Sequence, residues 1–211
     1  NRKNIILKLL DTKIKNMLSY KKSLAVLKKT NALLEGHFVL SSGLHSNMYI
    51  QCAKLLSFPN TSKKICHSLG KKIKRKIKKI DLILSPAMGG IIIGYEIGRI
   101  LNKETIFCER VKGKFTLRRG FKIQKGSKVL IIEDVITTGK SSMECVRLIS
   151  KAKAKLVGFA TIIDRSTKKT LKIKKKIISH LKIKVAVYKK SQLPKNLSLV
   201  KITKPGSRYI T

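Results

Sequence analysis

The stretch Val129-Leu130-Ile131-Ile132-Glu133-Asp134-Val135-Ile136-Thr137-Thr138-Gly139-Lys140-Ser141-Ser142 decides how the rest of the chain is read. Its apolar, mostly β-branched opening predicts a buried strand over 128–132. Two adjacent carboxylates stand at the mouth of that strand, 134–139 reads as the loop after it, and 141–152 reads as a helix. Thr137, Thr138, Gly139 and Ser141 bring hydroxyls and a flexible backbone to the helix start. Free N–H groups and the positive end of the helix dipole there favour a phosphate. Ionised carboxylates only accept hydrogen bonds, so Glu133 and Asp134 suit sugar hydroxyls or a metal-bound sugar. The plainer alternative is an ordinary strand–turn–helix with surface acids. The chain has only 10 acids, which makes two side by side at such a place informative.

The same rhythm extends on both sides. Downstream of a strand at 81–84 comes the glycine-rich turn 85–90 and a helix over 91–101. A strand at 105–108 leads into a long polar stretch, 109–120, and a strand at 156–163 follows the central helix. A helix over about 170–180 and a strand over 183–188 close the pattern. Such alternation predicts an α/β fold, a mostly parallel sheet flanked by helices, with ligands beyond the C-terminal strand ends. Upstream, apolar spacing predicts one or two amphipathic helices over 2–29, then extended segments at 32–34, 37–40 and 48–50 around the turn Ser41-Ser42-Gly43. Phe58-Pro59-Asn60 breaks the chain, and Asn60 or Thr61 can cap a helix running to about 79. Neither repeats nor long low-complexity linkers occur, so 1–211 reads as a single domain, with 1–58 forming an N-terminal hood.

Charge and cysteines bound the function classes. Against those 10 acids stand 49 Lys+Arg, a formal net charge of +39, which by itself would attract nucleic acid. Of these, 40 are Lys and only 9 Arg, scattered along the chain. Arg is the better fork for phosphates and bases, so the excess reads as compositional background and requires no nucleic acid. Cys52, Cys66, Cys108 and Cys145 lie far apart with no CxxC pair, which argues against a zinc ribbon and suits a reducing cytoplasmic setting. No run is long enough for a membrane span, and 1–10 has no signal-peptide core.

Within this background the local exceptions carry the chemistry. Gly89 and Gly90 allow close backbone approach to an anion, although a tight turn into a helix would look the same. The 109–120 stretch holds Arg110, Arg118 and Arg119, three of the nine arginines, together with Lys112 and Lys114. Its length suggests a lid with anion contacts; a solvated hairpin is the alternative. Asp164-Arg165 ends a strand, where an ion pair of Arg165 with Asp164 or a neighbour is the plain reading. His37, His45, His67 and His180 show no metal or triad spacing and read as surface or loop residues. Cys145 reads as a small core residue.

Residues 129–142 resemble the phosphoribosyl-pyrophosphate (PRPP) motif of type I phosphoribosyltransferases, and no P-loop GxxxxGK[ST] occurs. Segments 35–46, 85–90, 109–121 and Asp164-Arg165 are similar to the orotate branch of that family, with weaker similarity through Lys204-Pro205-Gly206-Ser207-Arg208. The resemblance implies a type I phosphoribosyltransferase fold and transfer of phosphoribosyl from PRPP to orotate, releasing pyrophosphate. Mg²⁺ would ride on the pyrophosphate, with no metal site in the protein. It further implies that Glu133 and Asp134 hold the ribose hydroxyls and act catalytically with Lys114. Thr137, Thr138, Gly139, Lys140 and Ser141 would cradle the 5′-phosphate, with Val135 and Ile136 completing the PRPP run. Ala87, Gly89, Gly90, Arg110 and Lys114 would meet pyrophosphate, and Arg165 with Thr137 would meet orotate. A homodimer sharing the 109–120 lid is expected.

There are departures. The lid has no His, Ser41 stands where better-known relatives have Lys, and Ser191-Gln192-Leu193-Pro194 replaces a Cys-Pro-x-Cys. Two rivals stay open: a purine or uracil phosphoribosyltransferase, and a PRPP-sensing nucleic-acid-binding regulator of the same fold.

Overall fold

The run at 129–132 forms the centre of the strand Lys128–Ile136 in the computed structural model, which describes residues 18–40, 42–167 and 171–205. In chain order the elements are α1 (Tyr20–Lys29), β1 (Leu33–Val39), β2 (His45–Ile50), α2 (Cys52–Leu56), α3 (Pro59–Lys76), β3 (Leu82–Pro86), α4 (Gly89–Leu101), β4 (Glu104–Val111) and β5 (Lys114–Leu117). Then follow β6 (Lys128–Ile136), α5 (Lys140–Lys151), β7 (Lys155–Asp164), β8 (Ile177–Lys182), β9 (Val187–Tyr188), α6 (Lys195–Ser198) and β10 (Ile202–Thr203).

The main sheet runs β5-β4-β3-β6-β7-β8, parallel throughout except for the edge strand β5. Side chains alternate across a strand, and β6 shows the result. Leu130 and Ile132 face Leu69 and Ile73 of α3 and Ile93 and Ile97 of α4. Val129 and Ile131 face Cys145 and Ile149 of α5. All four are 0% exposed, as a strand covered on both faces requires. Cys145 is a core residue as expected, its sulfur 3.5 Å from that of Cys108. A smaller, separate sheet runs β10-β1-β2-β9, and residues 1–58 supply two of its four strands.

Several expectations need correcting. The acids do not lie in a loop: β6 continues to Ile136, because Glu133, Val135 and Ile136 stay in register with Thr161, Ile163 and Asp164 of β7. No helix spans 171–180; Ile177–Lys182 is a strand whose Ile178 and His180 are buried, the period-2 signal that the surrounding lysines hide. The strand expected at 183–188 shrinks to β9, which pairs with β2. The helix after the break starts at Pro59, a first-turn position where a missing N–H costs nothing, and it ends at Lys76. His37, His45 and His180 are buried, not surface residues. His37 Nε2 and His45 Nδ1 lie 2.7 Å apart, and His180 Nε2 lies 2.8 Å from Ser23 Oγ of α1. The helix expected over 2–17, Ser41, residues 168–170 and the Gly206-Ser207-Arg208 tail fall outside the described residues.

Candidate active site

The pleat separates the two acids. Glu133 follows Val129 and Ile131 to the α5 face, and Asp134 follows Leu130 and Ile132 to the α4 face. Glu133 is 8% exposed and accepts a hydrogen bond from the Ser142 hydroxyl in the first turn of α5. Burial pushes its carboxyl up to about 7, against the opposing pull of the Ser142 hydroxyl. Asp134 is half-buried, and its Oδ1 accepts the Val135 N–H at 2.8 Å. Burial raises this carboxyl also, while the Val135 N–H works the other way.

Asp134 also defines how close the glycine turn can come. A Cβ at Gly89 would stand 2.8 Å from both carboxylate oxygens, so only glycine fits the observed approach. The turn itself contains a cis Ala87–Met88 peptide, and the Ala87 N–H donates to the Cys108 carbonyl at 2.8 Å. Because β3 and β6 are neighbours, Ala87, Gly89, Gly90 and Asp134 gather at one pair of C-terminal strand ends.

The hydroxyl-rich loop follows directly. Thr137 and Thr138 are exposed, Gly139 precedes the helix, and the Lys140 N–H donates to Thr138 Oγ1 at 3.3 Å. The Lys172 N–H fastens the loop through the Thr138 carbonyl at 2.9 Å. The first turn of α5 carries no acid of its own, and Glu133 of β6 accepts from Ser142 there.

Arg165 and Asp164 do not pair. Asp164 accepts the Ser166 N–H at 2.8 Å and lies 3.5 Å from the Lys182 ammonium. Arg165 instead turns toward Cys52 and Tyr49, and its Nε is buried without a hydrogen-bond partner. Burial works against its charge, lowering its pKa. The thiol of Cys52 in turn lies 3.8 Å from the Asp134 carbonyl, which brings Arg165 to the same side of the sheet as Asp134.

The 109–120 stretch is a hairpin, the extension of β4 turning through Lys112 and Gly113, both at positive φ, into β5. Its arginines are engaged. Arg119 and Arg118 meet Glu109 at 2.8 and 3.9 Å. Arg110 forms a two-pronged pair with Glu144 of α5 at 2.9 and 3.1 Å. Lys114 stands exposed at the start of β5. Arg110 and Lys114 are thus on the hairpin, not against the glycine turn. Ser142 and Glu144 are the residues sequence reasoning passed over. Ser142 ended the deciding stretch, and Glu144 is one of only 10 acids, so scarcity marked it as it marked Glu133 and Asp134.

With this geometry in view, the family model for the phosphoribosyl transferase domain matches residues 53–192. The orotate phosphoribosyltransferase of Parvibaculum lavamentivorans is 45% identical over 190 residues, 90% of this chain and 97% of that one. That of Caldicellulosiruptor saccharolyticus is 43% identical over 183 residues, 87% of this chain and 94% of its own. The crystal structure of orotate phosphoribosyltransferase from Aeropyrum pernix superposes with a TM-score of 0.61 at 22% identity, covering 75% of this chain and 92% of that chain, a likeness of fold. The sheet built around β6 is therefore the type I phosphoribosyltransferase fold. Identity sustained along nearly the whole length decides the kinship, and the chain belongs to the orotate phosphoribosyltransferase family.

Proposed function

We propose that this chain transfers the 5-phosphoribosyl group from PRPP to orotate, forming orotidine 5′-monophosphate and pyrophosphate in pyrimidine biosynthesis. Family membership supports the reaction, and one observation carries the choice of base: the buried, unpartnered Nε of Arg165. A buried guanidinium N–H without an acceptor is a costly arrangement, and a carboxylate-bearing base would supply a charged one. A neutral purine or uracil could offer only an uncharged acceptor, the weaker partner for a guanidinium.

In this reading Asp134 and Glu133 hold the ribose hydroxyls. Thr137, Thr138, Gly139, Lys140 and Ser141 wrap the 5′-phosphate at the start of α5, with Val135 and Ile136 lining the run. Ala87, Gly89 and Gly90 offer backbone to pyrophosphate, joined by Arg110 and Lys114 from the hairpin, while Thr137 and Arg165 address orotate. The protein's work is positioning and charge stabilisation as the ribose ring gains positive character and the base nitrogen closes on it. Keeping Asp134 ionised beside that carbon favours the cationic ring.

Mg²⁺ fits the donor set. Among the described residues no three His, Cys, Asp or Glu side chains gather as a metal site, while Asp134 offers hard oxygens beside the glycine turn. Magnesium commonly takes one or two carboxylates and otherwise substrate phosphates and water. When bound on PRPP it would supply charge neutralisation for the departing pyrophosphate.

A homodimer with the 109–120 hairpin reaching the partner's site belongs to the same proposal. Met88, Ile92 and Tyr95 at the start of α4 are exposed apolar side chains, as is Phe58 just before α3, and a second copy would cover the α4 group. Tyr95→Glu is expected to shift the protein from dimer to monomer in sedimentation velocity and to lower turnover. A dimer that persists would move the interface elsewhere. No described helix is long and apolar enough to cross a membrane, and a cytoplasmic location is proposed from the reaction and from four cysteines spaced without a CxxC pair.

The substrate reading is tested by Arg165→Ala. It is expected to raise KM for orotate about 10- to 100-fold, the worth of a charged hydrogen bond left unmade, with KM for PRPP little changed. An unaltered orotate KM would remove Arg165 from the site.

A further inference from the structure

Arg110 is committed in a way that the reaction cannot leave in place. Its guanidinium grips Glu144 of α5 with two prongs at 2.9 and 3.1 Å, donates to the Gly113 carbonyl at 2.7 Å, and stacks on the Phe115 ring at 4.1 Å. These contacts occupy the fork that a pyrophosphate group would use. They also dock the hairpin against the helix that follows the phosphate loop, since Cys108, two residues back on the same strand face, touches Cys145 of that helix.

We infer that Glu144 is a positioning residue for the transfer reaction: it holds Arg110 and the hairpin on α5 when PRPP is absent, and the pyrophosphate group of PRPP competes with it for the same guanidinium. The inference rests on the reading of Arg110 as a pyrophosphate ligand. Two features suit Glu144 to a reversible hold. The pair is partly solvated, with side-chain exposures of 42% for Arg110 and 17% for Glu144, so it is weak enough to exchange. Release of Arg110 also leaves no stranded acid. Among the described residues, Glu144 is the only acid lining a cleft of about 410 Å³ whose other walls carry Lys114, Lys140, Arg147 and Lys172. Lys140 and Arg147 sit four residues before and three after it on α5, the helical spacing at which an opposite charge can take over. The exchange therefore trades one carboxylate–guanidinium contact for a phosphate–guanidinium contact, with the carboxylate passed to a neighbouring cation.

The test is a double-mutant cycle read through steady-state kinetics. Glu144→Gln keeps the side chain's size and removes its charge. It is expected to lower KM for PRPP about two- to fivefold, the range a partly exposed ion pair is worth, with KM for orotate where it was. Arg110→Ala is expected to raise KM for PRPP, and in that background Glu144→Gln is expected to have no further effect, since the two residues act as one unit. Glu144→Asp, which restores the charge, should return KM for PRPP toward the parent value. A KM for PRPP that stays or rises in Glu144→Gln, while Arg110→Ala still raises it, overturns the inference and leaves the pyrophosphate role of Arg110 standing. An Arg110→Ala variant with unchanged KM for PRPP overturns both.

Discussion

Asp134→Asn is expected to lose turnover by about 10²- to 10³-fold, the scale on which removing one preorganised electrostatic contact acts, while the folded state stays intact. The substitution keeps shape and size and leaves an amide oxygen that can still accept the Val135 N–H held at 2.8 Å. In the proposed reaction, what disappears is a negative charge beside the carbon that becomes cationic. Stability should move the other way. The carboxyl's pKa is raised by burial, so its protonated form is the one favoured by folding. That contribution is present below the unfolded value and is lost as pH rises through the folded one. Ionised, the buried Asp134 is a net cost to folding, and the amide removes that cost. Thermal unfolding at pH 7 should therefore give a Tm equal to or above that of the parent. Turnover within a few-fold of the parent would take Asp134 out of the site, and a sharply lowered Tm would make its role structural.

Gly89→Ala should be nearly as damaging, for a steric reason that reaches the same carboxylate. The added methyl carbon would sit 2.8 Å from both Asp134 oxygens and 2.9 Å from the carboxyl carbon, closer than real Cβ atoms come. Either Asp134 rotates away from its Val135 hydrogen bond or the glycine turn retreats. Displacement by about 1 Å at a reacting centre costs on the order of 10²-fold in rate. The two substitutions strike one contact, so the Gly89→Ala/Asp134→Asn pair should be no worse than Asp134→Asn by much, whereas independent sites would multiply. Full multiplicative loss in the double variant would show that Gly89 acts on something other than Asp134.

The acid pair and the glycine turn were legible because each broke the chain's background. In a sequence carrying 40 lysines, two adjacent carboxylates after a buried strand stand out, as do adjoining glycines after another. The pairing of 133–136 with β7 was not legible. An apolar pattern ends where polar side chains begin, but a backbone ladder does not depend on side-chain polarity. That single difference places Glu133 and Asp134 on opposite faces, Glu133 toward Ser142 and Asp134 toward Gly89. Lysine also masked β8: Ile178 and His180 alternate inward, while the preceding run of lysines suggested a helix face. The hairpin had its own signal in Lys112-Gly113, a two-residue turn with positive φ at both positions. The density of charge around it favoured a loop reading. Long-range pairs such as Arg110 with Glu144, or His37 with His45 across a strand pair, have no local spacing to betray them.

Substrate choice is the part of this reading most exposed to direct measurement. Purified protein with Mg²⁺ and PRPP, offered orotate, uracil, hypoxanthine or adenine in separate reactions, should consume orotate and release one pyrophosphate per nucleotide formed, leaving the three uncharged bases untouched. The Arg165 Nε–H, buried without an acceptor, is the observation behind that expectation. Consumption of uracil, hypoxanthine or adenine with orotate left intact would contradict it.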